Sequence, residues 1–431
     1  MKLRYLFLLF LSVSFLFALD TNAKGSITLN TKEEVDLFNQ GVSFYNANNF
    51  NAVIKAMDAL IQKNDKIAEA YNLRGNSQYM LGNYDLAIKD FSEAIKIDIQ
   101  FLDAYRSRAE SYRLQKQYDL AVKDLDKLIE FEPNNSNFYY NRGILYVENN
   151  ARQEALADFT KSITLDSKNF SAYIARGELL YRLKEFTQAQ ADLDTAISLN
   201  PESSDAYKLR ATIALEQHNY LEAINYYSKG IKLAPKDGEL YFYRGLAYME
   251  DGKFNDALND FNVAMKNQHD KDEINYHIAL VHYRNNEYDN AIKYLDKAKN
   301  YKGGMNINEL RGNMNYLAKN YEEAIKDYSK AQLQLPNRME ILKNRANCFY
   351  NIKKYENAIE DYSVVLQNMQ DATILHNRAN SYRALERYEN AIEDCKQFIQ
   401  LAKTNEELEI FIPDVEKEIE FMKHKLSENK K

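Results

Sequence analysis

Tryptophan is absent from the 431 residues, cysteine occurs twice, proline five times and glycine thirteen times. Two thiols, Cys348 and Cys395, exclude a disulfide or structural-metal mini-scaffold. Gly and Pro are too scarce for a collagenous or low-complexity chain, and a 45% hydrophobic fraction is too high for disorder. Positive charge is not in surplus either. A net charge of -7 argues against nucleic acid, whose affinity rests on Lys and Arg neutralising phosphates. What the chain does have is tyrosine, 33 residues of it.

Met1 to Ala23 opens with Lys2 and Arg4, continues with an apolar run from Leu6 to Leu19 and ends in small residues. That run is shorter than the roughly 20 residues a membrane-spanning helix needs. It reads as a cleavable secretory signal, followed by a linker at 24–33. The expectation is an exported protein, periplasmic or secreted, or lumenal or extracellular in a eukaryote, with no stable membrane span after cleavage. Removing 1–23 takes the net charge to about -8.

The rest is one unit copied eleven times. Small residues recur at Gly41, Gly75, Ala109, Gly143, Gly177, Ala211, Gly245, Ala279, Gly312, Ala346 and Ala379. Twelve residues after each comes Val53 and then Ala87, Ala121, Ala155, Ala189, Ala223, Ala257, Ala291, Ala324, Ala358 and Ala391. An aromatic stands three residues before that position in ten copies, Arg152 being the exception. Pro133, Pro201, Pro235 and Pro336 share one phase at the end of the unit, as punctuation between helices. Apolar residues follow a 3.6-residue period twice per unit, so each copy predicts two helices and a short turn.

This pattern resembles the tetratricopeptide repeat family over about Glu34 to Lys403, with Tyr where the family often has Trp (Tyr71, Tyr105, Tyr139, Tyr173, Tyr207, Tyr241). The resemblance implies an all-α fold: stacked antiparallel helix pairs forming a right-handed solenoid whose first helices line a concave groove. Repeats would occupy 34–403 as one continuous core, with a polar-faced capping segment at 404–431 broken at Pro413. Thr31 and Glu34 make a capping box for the first helix. A residue is missing near Tyr301 to Gly304, and the eighth unit departs from the pattern, so a softer joint is expected over 272–304.

Nine copies carry Arg one residue before the small position, and eight carry Asp three residues after the Ala. Arg74 with Asp90, Arg108 with Asp124, Arg142 with Asp158 and Arg176 with Asp192 are the first of these. They travel together, and matching each Asp to the next unit's Arg instead gives more mismatches. A clamp within each helix pair is therefore expected, so that exchanging Arg142 and Asp158 should be tolerated better than either single change. The sixth copy has Arg210 but Tyr226 in place of Asp.

If the family geometry holds, two phases of the first helices face the groove. Their aromatic members are Phe38, Tyr45, Tyr79, Tyr140, Tyr181, Phe242, Tyr276, Tyr283, Tyr316 and Tyr350, with Asn72 and Lys343 on the same phases. Exposed Tyr anchors partner chains through large area at low entropy cost. Lys343, Asn347 and Asn377 resemble half of the family's carboxylate clamp, but Glu407 and Phe411 stand where its basic residues belong. The expected partner is a protein or peptide. The alternative is a structural subunit of an envelope or secretion assembly, held by the convex face or the ends.

Nothing predicts catalysis, a cofactor or a metal. His277 and His282 are five apart and read as solvated or groove-facing. Gly303-Gly304 lacks the Lys-Ser or Lys-Thr of a phosphate loop, and the thiols read as buried and free.

Overall fold

The computed structural model describes residues 29–298 and 300–428. The expected signal at 1–23 lies outside the described residues, as do residues 24–28 of the linker at 24–33. Among the described residues all regular structure is helical, 24 helices in all, packed in consecutive pairs up to the last two. Repeat 1 pairs Lys32–Asn46 with Phe50–Lys63, repeat 2 pairs Ala68–Met80 with Tyr84–Ile97, and the alternation continues to Ala372–Ala384 with Tyr388–Ala402. None of these helices is long and apolar enough to cross a membrane.

The small column explains how closely each pair can pack. A Cβ added at Gly75, Gly143 or Gly245 would stand 2.6 to 2.8 Å from a ring carbon of Phe91, Phe159 or Phe261, sixteen residues on. Where that ring is replaced by Leu125, the facing residue is Ala109 and the pair still closes. The match is not strict, since Ala211 faces Tyr227, Ala346 faces Tyr362 and Gly177 faces Leu193, so the closeness of approach is set pair by pair. Gly143→Ala should cost about 1–3 kcal/mol through overpacking, despite the better helix propensity of Ala. Combining it with Phe159→Leu, which copies repeat 3, should bring the stability back toward that of Phe159→Leu alone. Chemical denaturation of the three variants checks this, and additive losses would refute it.

Each turn within a pair closes through one residue of positive φ, at the same phase in all eleven repeats. These residues are Asn48, Gly82, Lys116, Asn150, Lys184, His218, Gly252, Asn286, Lys319, Lys353 and Glu386. The left-handed residue lets two amides turn back onto the last helical turn, as in Gly82 N–H to Tyr79 O and Asn83 N–H to Gln78 O, both 2.9 Å. Glycine relieves this conformation at only two of the eleven positions. That is why the composition of the turns gave so little warning of it.

By compactness the helices fall into two blocks, one ending at Pro235 and the other beginning at Lys236. The first holds repeats 1 to 6. Its first helix opens on the Thr31–Glu34 capping box, with Glu34 buried beneath it. The second holds repeats 7 to 11 and two terminal helices, Glu406–Glu409 and Ile412–Glu428. The last of these buries Val415, Ile419 and Met422 in the cluster that contains Cys395, Phe398 and Ala402. Pro413 stands inside its first turn rather than at a break between helices, because a missing N–H costs nothing there.

Repeat 8 departs from the pattern in the second block. Its second helix, Tyr288–Lys297, stops after 10 residues. The chain then folds back on the first helix, Lys271–Arg284. Tyr301 packs 4.8 Å from the Tyr276 ring, and the Met305 amide donates to the Tyr276 hydroxyl at 3.0 Å.

Candidate functional site

Eight Arg–Asp pairs are closed within their own repeats. In repeat 4, Arg142 Nε and Nη2 donate to the two Asp158 oxygens at 2.7 and 2.8 Å. Repeats 2, 3 and 5 form the same fork from Arg74 to Asp90, Arg108 to Asp124 and Arg176 to Asp192. Hydrogen bonding to Asp158 holds the Arg142 guanidinium above its ordinary pKa, against the desolvation that opposes the charge. The four cations of repeats 2 to 5 also lie over tyrosine. Arg108 is 5.6 Å from the Tyr105 ring centroid and 6.0 Å from that of Tyr112, and Arg142 is similarly flanked by Tyr139 and Tyr146. The tyrosines at the family's Trp phase are thus occupied in stacking.

The sequence missed the third arm of this clamp. The remaining Arg nitrogen reaches back to the preceding repeat: Arg74 to Asp58, Arg108 to Ser92, Arg142 to Asp126, Arg176 to Thr160, Arg345 to Ser329 and Arg378 to Ser363. One guanidinium therefore ties three helices together. The signal was present as a column of short oxygen-bearing side chains, but it mixes Asp with Ser and Thr. Arg210, which lacks the in-repeat Asp, turns instead to Asp194 and Glu222 and stacks 4.8 Å over Tyr226.

The thirteen groove candidates do not share one environment. Phe38, Asn72, Tyr140, Tyr181, Phe242 and Tyr276 are buried, so as they stand they offer a partner little area, a departure from their expected exposure. All but Tyr181 stand three residues before the small position, where Tyr140 packs against Phe159 and Phe242 against Phe261 on the second helix of the same repeat. Tyr45, Tyr79, Tyr283, Tyr316, Lys343, Asn347 and Tyr350 are half-buried.

The half-buried tyrosines follow a rule that spacing alone did not reveal. Each leans on the aromatic five residues later, at the start of the second helix of its repeat. The ring centroids are 5.6 Å apart for Tyr45–Phe50, 5.5 Å for Tyr79–Tyr84 and 6.2 Å for Tyr283–Tyr288. Tyr316–Tyr321 and Tyr350–Tyr355 follow at 5.8 and 5.5 Å. Both members of each pair stay half-exposed, so the packing that orients the rings leaves one side of them available.

Charges beside this surface are mostly closed on one another. Arg113 pairs with Glu110 at 2.7 Å and Glu148 at 2.9 Å, and Lys343 pairs with Glu340 at 2.6 Å. In the half-clamp, the Asn347 carboxamide oxygen accepts from the Tyr362 hydroxyl at 2.6 Å and from Asn377 Nδ2 at 3.5 Å. A shallow cavity of about 20 Å³ opens between repeats 3 and 4, floored by Ala109, Leu125, Ile144 and Leu145.

His277 is not solvated as expected. It is buried among Phe242, Phe261, Tyr276 and Tyr301, its Nδ1 is without a hydrogen-bond partner, and burial lowers its pKa to about 4. Cys348 and Cys395 are buried and free, with burial pushing each thiol up to about 12. Among the described residues no group of three or more His, Cys, Asp or Glu is placed to hold a metal ion.

Sequence models of the tetratricopeptide repeat match residues 68–101, 109–150, 136–169, 174–238, 242–304 and 372–405, together more than half of the chain. No curated protein matches it. Among solved structures, MamA is 26% identical with a TM-score of 0.36, over 37% of this chain and 94% of MamA. A tetratricopeptide repeat protein from Parabacteroides merdae is 19% identical with a TM-score of 0.47, over 58% of this chain and 99% of its own. YrrB, described as a repeat protein with an unusual peptide-binding site, is 19% identical with a TM-score of 0.36, over 42% of this chain and 94% of its own.

Proposed function

We propose that this chain, which belongs to the tetratricopeptide repeat family, is an exported, non-catalytic scaffold that holds a peptide or protein segment against its first helices. The observation that carries this reading is the recurrence of half-exposed aromatic pairs at one phase of the repeat. Rings already oriented by a neighbour lose little freedom when a partner covers them, so the ordering cost of binding is small on the scaffold side. Ion pairs closed within the scaffold leave the aromatic surface as its main unspent resource.

The test is capture of partners from the native extracytoplasmic compartment by the exported chain. Tyr79, Tyr283 and Tyr316 changed together to Ser should abolish capture while helicity and melting stay near the parent's. Intact capture by a folded triple variant would move the interaction elsewhere on the molecule.

Export rests on the charge, length and small-residue pattern of residues 1–23. Amino-terminal sequencing of the protein from its native source is expected to begin near residue 24. A mature chain still starting at Met1 would overturn that part alone. Hydrolytic or transfer activity in the purified chain would overturn the non-catalytic part.

A further inference from the structure

In repeats 2 to 6 the second helix ends ten residues after its Ala, at Ile97, Phe131, Leu165, Leu199 and Leu233. Tyr301 stands at the same phase after Ala291, yet that helix stops at Lys297 and Tyr301 lies instead on the Tyr276 ring at 4.8 Å. The first helix of repeat 9 is shortened too. It opens at Ile307, five residues before Gly312, whereas the first helices of repeats 10 and 11 open seven residues before Ala346 and Ala379.

The 33-residue spacing from Ala279 to Gly312 does not require this, because Ala346 and Ala379 have the same spacing. There the second helix of repeat 10 runs its full 14 residues, Tyr355–Asn368. Three linker residues, 369–371, then lead into Ala372–Ala384, with Asp371 accepting from the Ile374 amide at 3.1 Å as the cap. Laid on that pattern, repeat 8 would carry its helix to Tyr301, cross on Lys302, Gly303 and Gly304, and start repeat 9 at Met305.

We infer that residues 300–306 are an exchangeable strap. Repeat 8 has a strapped state, in which Tyr301 and Met305 cover Tyr276, and a wound state, in which the second helix reaches Tyr301 and Tyr276 is uncovered. The strap is held by the Tyr301 ring, by the Tyr301 hydroxyl donating to Glu273 at 3.3 Å, and by the Met305 amide donating to the Tyr276 hydroxyl at 3.0 Å. Winding gives these up and gains the backbone bonds of one helical turn, contacts of comparable size. The two states also use different caps. Asn306 caps the strapped form, accepting from the Asn308 and Glu309 amides at 3.0 and 3.2 Å, whereas Gly304 stands at the phase of Asp371. Gly304 is what admits the strap: its φ is +69°, and a Cβ there would clash with the Tyr276 hydroxyl. Tyr276 is a groove-phase residue, so the strapped state withholds one ring from partners. That role, unlike the exchange itself, rests on the groove being the docking face.

Two substitutions bias the exchange by different means. Gly304→Asp strains the strap and supplies the cap that repeat 11 uses. Met305→Pro removes the amide that bonds Tyr276, and proline suits the first position of the longer helix. Both are made in the full chain after removal of any signal, with far-ultraviolet dichroism and melting to show that the fold is kept. Hydrogen exchange over 298–302 reads the helix, and protection should rise about tenfold or more in both variants. Nitration by tetranitromethane, mapped by peptide mass, reads the cover: Tyr276 should react several-fold faster than in the parent, with Tyr140 unchanged. Folded variants whose Tyr276 stays as unreactive as the parent's overturn the strap. Uncovering without added protection overturns the wound state. Capture of native partners should rise several-fold in Met305→Pro, and unchanged capture with Tyr276 uncovered overturns the strap's control of the docking face. A parent that captures nothing, while both variants uncover Tyr276, counts against the docking face and supports the exchange.

Discussion

Truncating either member of the Arg108–Asp124 pair to alanine is expected to cost about 3–5 kcal/mol, because it leaves the other charge buried without its partner. Both side chains are largely covered, at 17% and 6% exposure, and the fork places their atoms 2.6 and 2.9 Å apart. The double alanine variant should lose much less than the sum of the two. A coupling of about 2 kcal/mol or more is the measurable sign of the contact. Burial raises the Asp124 pKa and the Arg108 hydrogen bonds lower it. In Arg108→Ala only the raising influence remains. The folded variant would then bind the proton more tightly than its unfolded chain, so its deficit should shrink as the pH falls toward the carboxylate range.

Repeat 3 is also the better place for the charge exchange. Exchanging Arg142 and Asp158 would set the new carboxylate against Asp126, which Arg142 holds at 2.6 Å. Arg108 has Ser92 on that arm instead. Arg108→Asp with Asp124→Arg should therefore be more stable than either single change, though below the parent because the stacking on Tyr105 and Tyr112 is lost. Denaturant titration checks it, and a double variant as unstable as the summed singles would mean that the fork contributes no coupling.

The second large effect is a pH dependence centred on His277. Its folded pKa near 4 lies below the usual 6.5, so on acidification the unfolded chain takes up a proton that the folded one refuses. Stability is fully present above about pH 6.5 and is lost as the pH falls toward 4, by about 3 kcal/mol for this group. The groups acting on the ring do not reverse the sign: Glu273 and Glu250 favour the charge, His269 and Arg284 oppose it, and burial outweighs them. His277→Leu should flatten the dependence of the second block by about that amount, read as the difference between parent and variant from pH 7.5 to 4.5. Parallel curves for the two proteins would mean that the ring titrates normally.

The sequence by itself determined the eleven helix pairs, their phase and the Arg–Asp partnership, because those features repeat. A constraint imposed at every copy, such as a small residue where two helices approach, rises above local noise even without a structure. The same regularity carried the capping box at Thr31, where two residue types at a fixed spacing satisfy each other's backbone.

Only the tertiary structure decided which candidates are buried, and the reason is that a periodic phase gives a direction without a depth. Tyr181 stands on the same phase as Tyr316 and Tyr350, four residues after the small position, yet it is buried and they are half-exposed. Tyr181 has the Lys184 ammonium 5.6 Å over its ring, and its hydroxyl donates to Glu216 at 2.6 Å. The third arm of each guanidinium, to Asp58, Ser92 or Asp126, joins side chains brought together by stacking and so was hidden among mixed residue types. The aromatic pairing that leaves Tyr283, Tyr316 and Tyr350 in one row is likewise a product of the turn between helices. Its left-handed residue is lysine, glutamate or histidine as readily as glycine, because the backbone bonds it completes outweigh the cost of that conformation.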